Sequence, residues 1–341
     1  MMQARYFSTL DGQKLQCHLC PHECIIADDH LGVCGVRQNQ GGVLKALTHN
    51  LAIAQHIDPI EKKPLYHVHP GSRTFSVAAA GCNFHCQFCQ NHEISQLRPV
   101  HGRLLGHPVT AAEVVDQALA SECRTIACTY TEPTVYYEWA LDIARGAHTS
   151  GVGTVWVTNG FINAEPLREI APFLLAANVD LKAWDDDFYR KIVGGALQPV
   201  LDTLQLMKKL GIWVEVTTLL VPGYCDDEKT IRSIADYIRE HLGVETPWHI
   251  SRFYPHYRLH GVPATPLHVL RRAREIGVEA GLRYVYCGNA PGDVGEHTFC
   301  YRCGALLIER IGFEVLNDKI SAGHCPVCQA EIDGIGLNAP G

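Results

Sequence analysis

From Phe75 onward, short apolar runs alternate with longer stretches whose apolar residues recur at helical spacing. The runs predict strands over Phe75–Ala80, Thr125–Thr129, Thr154–Thr158, Asn178–Leu181, Trp213–Leu220, Pro247–Phe253 and Arg283–Cys287. The periodic stretches predict helices over Thr110–Ser121, Thr134–His148, Glu165–Leu175, Pro199–Leu210, Glu228–His241 and Pro266–Ala280. Helices with one apolar face, interleaved with strands, cover a mainly parallel sheet. The expected class is therefore α/β, a partial or complete (β/α) barrel of TIM type, with binding loops at the strand C-termini. A doubly wound sheet is the alternative, and it too puts ligand loops after the strands.

The two ends break this rhythm. Residues 1–70 are rich in Cys, Gly and His and lack long periodic segments, which predicts a small module folded around a metal or against the larger domain. Its last part, Ile57 to Pro64, reads as an ordered connection with prolines restricting the backbone. Residues 71–295 form the expected barrel domain. Residues 296–341 carry two Cys-x2-Cys knuckles, Cys300/Cys303 and Cys325/Cys328, separated by 21 residues. That spacing predicts a zinc-ribbon-like module holding structural Zn2+.

Composition narrows the function. With 29 Lys and Arg against 36 Asp and Glu, the net charge is -7, so no broad positive field draws in phosphate backbones and nucleic acid is not an expected partner. No apolar run reaches membrane-spanning length, and the opening MMQARYFSTLDGQK lacks a signal-peptide core, so a cytoplasmic protein is expected. Fifteen cysteines suit no complete disulfide framework. Eleven of them fall into three tight groups, Cys17/Cys20/Cys24/Cys34, Cys82/Cys86/Cys89 and the terminal knuckles. Thiolates this close in a reducing compartment read as metal ligands.

The central group sits in Gly81-Cys82-Asn83-Phe84-His85-Cys86-Gln87-Phe88-Cys89-Gln90-Asn91, directly after a predicted strand. Three thiolates within eight residues grip three irons of a [4Fe–4S] cluster and leave one iron without a cysteine. An open iron takes the amino and carboxylate groups of S-adenosylmethionine, and one-electron reduction then releases a 5′-deoxyadenosyl radical; such chemistry comes from cofactors, not side chains. The alternative is zinc on three thiolates with His85 or His92. No side chain is assigned as a catalytic acid or base, because hydrogen-atom abstraction depends on positioning and water exclusion.

The Cys-x3-Cys-x2-Cys spacing with Phe88 before the last ligand resembles the radical S-adenosylmethionine (radical SAM) superfamily. The string GCNFHCQFCQNHEISQ at 81–96, with IDPIEKKPLYHVHPGS before it, YTEPT at 130–134 and GFEVLNDKI near the end, resembles more narrowly the radical enzyme of the AmmeMemoRadiSam system. The wider likeness extends to pyruvate formate-lyase activating enzymes. It implies that Glu132, in Tyr-Thr-Glu-Pro where relatives have Gly-Gly-Glu-Pro, accepts a hydrogen bond from the methionyl amino group. Asn159 in Thr-Asn-Gly, Asp180 and Lys182 in Asp-Leu-Lys, and Val221 in Val-Pro-Gly-Tyr match further cofactor-binding strings, although Val157 stands where an Asp is usual. His249 and Arg252, with His256, fall near the sixth strand and are assigned to the same site.

The first cysteine group supplies four ligands to a region with little apparent core, so closed tetrahedral zinc is expected there, with a second iron–sulfur cluster as the alternative. The leading function is reductive cleavage of S-adenosylmethionine followed by hydrogen abstraction from an unidentified small molecule or protein, fed by a low-potential one-electron donor. The alternative within the superfamily is an activase that installs a glycyl radical in a partner protein. The resemblance also implies functional association with Memo-like and Amme-like proteins. From a different class, the knuckles permit a zinc-dependent nucleic-acid- or protein-binding module.

Overall fold

The computed structural model describes residues 2–100 and 103–337. Its centre is an eight-stranded sheet in the order Val285–Gly288, Trp248–Arg252, Trp213–Leu220, Ala176–Asp180, Gly153–Thr158, Thr125–Cys128, Arg73–Ala78, Ala54–Pro59. The first seven of these run parallel, and Ala54–Pro59 pairs antiparallel with Arg73–Ala78 at the edge. The order follows the chain without reversal, which is the arrangement of a barrel and not of a doubly wound sheet. The two outermost strands do not pair with each other among the described residues, so the ring stays open on that side.

Each crossover is a helix that buries one face. Ala111–Ala120 starts on a capping box in which Thr110 and Glu113 satisfy one another's backbone N–H groups, and it buries Val114, Val115 and Ala118. Tyr137–Thr149, Ala164–Ile170, Leu197–Lys209, Glu228–Tyr237 and Leu267–Glu279 follow, each between two parallel strands. Inside the sheet, residues 60–68 act as a plug. Ile60, Leu65 and Val68 pack on Ala127, Val155 and Ala176, and Asn178 donates to the carbonyl of Pro64 (2.8 Å). Glu215 accepts from the backbone N–H groups of Tyr66 (3.0 Å) and His67 (2.9 Å). The segment read as a connection thus contributes an edge strand and the filling of the lower lumen.

The N-terminal region forms two three-stranded sheets, Met2–Gln3 with Val43–Ala46 and Arg37–Gln40, and Phe7–Thr9 with Leu15–Cys17 and Ile25–Ile26. It is tied to the Tyr137–Thr149 helix by a buried ion pair, Arg37 to Glu138 at 2.5 Å. The C-terminal region folds as Thr298–Phe299, Leu306–Ile311 and Glu314–Asp318, and its Arg310 reaches the carbonyl of Tyr66 (3.0 Å) on the open side of the ring.

Candidate cluster and cofactor site

The strand Arg73–Ala78 delivers the chain to the cysteine loop at its C-terminal end. Gly81 has φ +96°, and a Cβ there would lie 2.6 Å from Val36 Cγ1 and 2.9 Å from the Cys34 carbonyl, so only glycine allows this approach to the N-terminal region. Asn83 is fully buried; it donates to Phe161 O (2.7 Å) and accepts from Asn159 Nδ2 (2.8 Å). On the other side, the N–H groups of His85 and Gln87 donate to Val193 O (2.8 Å) and Ile192 O (3.0 Å). Phe84 packs against Phe161, with ring centroids 5.0 Å apart. The loop is clamped between two later loops of the barrel.

Its sulfurs receive donors. Phe84 N–H points at Cys82 Sγ (3.3 Å), Asn159 Nδ2 lies 3.7 Å from the same sulfur, and Cys89 Sγ is 3.3 Å from Ser95 Oγ. Burial pushes the Cys82 thiol well above its ordinary value and Cys86 up to about 12, so a metal's charge is what makes thiolates favourable here. Neither His85 nor His92 joins these thiols in a group of three ligand atoms within 4.8 Å among the described residues. His85 Nδ1 instead pairs with Gln96 Oε1 at 2.6 Å, and His92 stacks on Tyr257. The wide, N–H-lined triplet suits a cluster better than one ion.

Glu132 follows the Thr125–Cys128 strand and is 2% exposed. Its carboxylate accepts from Thr134 N–H (3.0 Å), Thr134 Oγ1 (2.6 Å), Thr158 Oγ1 (2.8 Å) and Asn159 N–H (2.8 Å). Burial raises its proton affinity against these four donors. Before any methionyl contact, then, Glu132 stitches two strand ends together and fixes Asn159 against Cys82. Tyr130, at φ +65°, is held by a hydrogen bond from its hydroxyl to Asp58 and by Asn91 donating to its carbonyl (2.8 Å). Lys182 pairs with Asp180 (3.0 Å) and lies 5.8 Å from the Phe88 ring centroid. Burial works against its ammonium, but Asp180 and Cys86 outweigh that and hold it charged.

Residues 77–238 match the Radical SAM superfamily. The chain carries a radical SAM domain over that stretch. It is 45% identical over 335 residues to an uncharacterized protein of Methanocaldococcus jannaschii, covering 98% of this chain and 99% of that one. The pyruvate formate-lyase 1-activating enzyme of Escherichia coli K12 is 21% identical over 238 residues, 64% of this chain and 93% of the relative. A radical SAM methyltransferase from Sphaerobacter thermophilus shares the fold with a TM-score of 0.50 at 18% identity, over 67% of this chain and 70% of its own. The protein is thus an enzyme, and the radical SAM domain implies a [4Fe–4S] cluster and S-adenosylmethionine. This replaces the reading as a zinc-dependent binding module.

The remaining residues assigned from the radical SAM resemblance lie in varied settings. Val221 is fully buried and anchors a turn with Cys225, its N–H 3.3 Å from that sulfur. Arg252 donates to Thr265 O (2.7 Å) and to the Tyr254 hydroxyl (3.0 Å). His249 is buried in the lumen, 2.6 Å from Glu215 and stacked on Tyr286. It lines a cavity of about 330 Å3 together with Glu61, Tyr66, Gln90, Ser251 and Phe313. Gln90 directly follows the last cluster cysteine, so this space adjoins the cysteine loop. Glu61 is 1% exposed, accepts from Gly71 N–H (2.9 Å), and its Oε2 has no partner among the described residues. Glu61, Gln90 and Phe313 were not found from sequence. Gln90 could have been, from its place beside Cys89.

The two outer cysteine quartets differ. In the C-terminal one, Cys300–Cys328 and Cys303–Cys325 sulfurs are 3.6 and 3.7 Å apart, and all four lie within 4.8 Å of one another. A tetrahedral ion with metal–sulfur bonds of ~2.3 Å separates its sulfurs by ~3.8 Å, so the site suits a single ion. In the N-terminal quartet, Cys17, Cys20, Cys24 and Cys34 all line one small cavity, walled also by Leu19, Val33 and Arg37.

Proposed function

We propose that this protein is a radical SAM enzyme of the AmmeMemoRadiSam type, which removes a hydrogen atom from a small molecule held in the lumen next to the Cys82–Cys89 loop. When bound at the cluster, S-adenosylmethionine supplies the 5′-deoxyadenosyl radical that does the abstraction. The observation that carries the reading is the 330 Å3 cavity lined in part by Gln90, the residue that follows Cys89. Cys82, Cys86 and Cys89 would hold the irons. Lys182 offsets thiolate charge at Cys86, and Asn159 with Phe84 N–H damps it at Cys82. Glu132 keeps Asn159 in place, with its Oε2 able to take one more donor from the cofactor. The unpartnered oxygen of Glu61 offers an acceptor to a polar substrate, and the exposed Phe313 and Pro291 form the outer rim of the cavity.

A low-potential carrier would supply the electron, the C-terminal quartet would hold zinc, and the narrow resemblance favours joint action with Memo-like and Amme-like proteins. The names of the activating-enzyme relatives support a second reading, activation of a glycyl-radical partner. Anaerobically reconstituted enzyme with a strong reductant is expected to release 5′-deoxyadenosine, and single Cys82→Ala, Cys86→Ala or Cys89→Ala variants to release none. Product from any of the three would sink the proposal. Deuterium passing from a labelled metabolite into deoxyadenosine selects direct metabolism, whereas a glycyl radical appearing in a partner selects activation.

A further inference from the structure

We infer that Cys17, Cys20, Cys24 and Cys34 hold a second [4Fe–4S] cluster, set against the first, and not the zinc ion that their number suggests. The argument starts from sulfur spacing. Among the described residues, the C-terminal quartet alone brings three or more ligand atoms within 4.8 Å of one another. A single tetrahedral ion requires that closeness, because its four sulfurs sit ~3.8 Å apart. The N-terminal sulfurs, like the Cys82 triplet, spread more widely, yet all four face one cavity. Four thiolates around a hollow are the donor set of a cluster whose irons and sulfides fill the middle.

The lining supports this. Leu19, Ile26, Val33 and Val135 make the wall apolar, and Val33 N–H lies 3.5 Å from Cys24 Sγ. The backbone N–H groups of Leu19, His22 and Val36 act on the sulfurs of Cys17, Cys20 and Cys34 in the same way. Arg37 is the independent sign of a ligand. Its side chain is 2% exposed and lines the cavity, with its guanidinium tied to Glu138, yet Nε has no partner. A buried N–H left without an acceptor is costly, and a sulfide or thiolate of a cluster supplies that acceptor.

Position fixes the use. Gly81 approaches Cys34 and Val36 so closely that a methyl group would not fit, and Gly81 is followed by Cys82. His22, beside the cavity, lies 2.7 Å from the Asn83 carbonyl. The two cysteine loops are therefore in direct contact, and the second cluster would relay one electron from a low-potential carrier to the first, with no bond or proton changing.

The test uses the whole chain, reconstituted anaerobically with iron and sulfide. Wild type is expected to bind about eight iron and eight sulfide with one zinc, and the Cys82→Ala/Cys86→Ala/Cys89→Ala variant about four of each. That variant leaves the N-terminal loop untouched, and on reduction it should give the electron paramagnetic resonance signal of an isolated cluster, while wild type shows two interacting ones. A Cys20→Ala/Cys24→Ala variant should also drop to about four iron. Two zincs and about four iron in wild type, or a triple variant without iron and sulfide, overturns the inference. These counts do not depend on deoxyadenosine formation, so the proposed reaction can fail while the second cluster stands.

Discussion

Asp58 shows how a charged residue on an edge strand serves a site some distance along the chain. It bonds Lys63 at 2.7 Å and Lys62 at 2.9 Å and accepts the Tyr130 hydroxyl, and Tyr130 in turn leads into Glu132. Burial alone would raise its proton affinity, but Lys63, Tyr130 and Lys62 outweigh that and hold it well below the usual carboxylate range. A carboxylate depressed in the folded state stabilises fully above its unfolded value near ~3.9 and loses that contribution as pH falls further. Asp58→Asn leaves Lys63, 1% exposed, without its counter-charge, and should cost about 3 kcal/mol at pH 7. Urea midpoints in apo protein at pH 7, 5 and 3 check both claims. Wild type should keep this contribution down to about pH 4 and lose it progressively only below that, and a variant that matches wild type at pH 7 would refute the account. From sequence, Asp58 was one of several charges in a proline-bounded stretch, with nothing local to mark it as buried.

At the scale of elements, the strands were legible because their apolar runs are continuous. Trp213–Leu220 has the expected bounds, and the other expected strands lie within a few residues of their observed ends. Ala54–Pro59 was missed because His56, Asp58 and Pro59 break any apolar pattern, which an antiparallel edge tolerates. The C-terminal cysteine quartet was legible because ligand spacing is local. His249 was assigned to the site by resemblance, but its partner Glu215 was not legible, because that pairing depends on register. Thr217 is its neighbour across the ladder, and only that pairing brings Glu215 to its ring. The Asp-Leu-Lys string was readable as a motif but not as an ion pair next to a thiol. Its charge supports a prediction: Lys182→Met removes a buried cation beside Cys86, so the cluster there should become harder to reduce, by on the order of tens of millivolts. Lys182→Arg should retain most of the wild-type potential. Redox titration followed by paramagnetic resonance decides it, and an unchanged or raised potential in the methionine variant contradicts the assigned role.

For the whole molecule, the open ring poses the problem of what closes it. The sequence predicted a barrel domain over residues 71–295 with two cysteine-bearing ends, but Ala54–Pro59 and the plug at 60–68, expected in the first end, belong to the central sheet and its lumen, and the contacts by which the ends complete the lumen were not legible. Arg310 carries that contact. It is fully buried, donates to Thr298 Oγ1 (2.7 Å) and Tyr66 O (3.0 Å), and sits 4.2 Å from the Tyr66 ring centroid. It also lies 3.6 Å from Glu61, the residue whose other oxygen faces no partner. Removing the guanidinium strands Glu61 as an unpaired buried carboxylate and frees the Tyr66 plug from the C-terminal sheet. Arg310→Met keeps much of the volume, so the loss should be electrostatic, about 3–5 kcal/mol. If the C-terminal region closes the ring as part of one cooperative unit, the urea midpoint of the whole chain falls with its slope unchanged. If that region is instead an independent appendage, fluorescence from Trp213 and Trp248 in the central sheet will report the wild-type midpoint while the metal at Cys300–Cys328 is released at lower urea. That split would also remove Phe313 as a fixed rim residue of the lumen cavity, so the same titration bears on how the proposed substrate space is held.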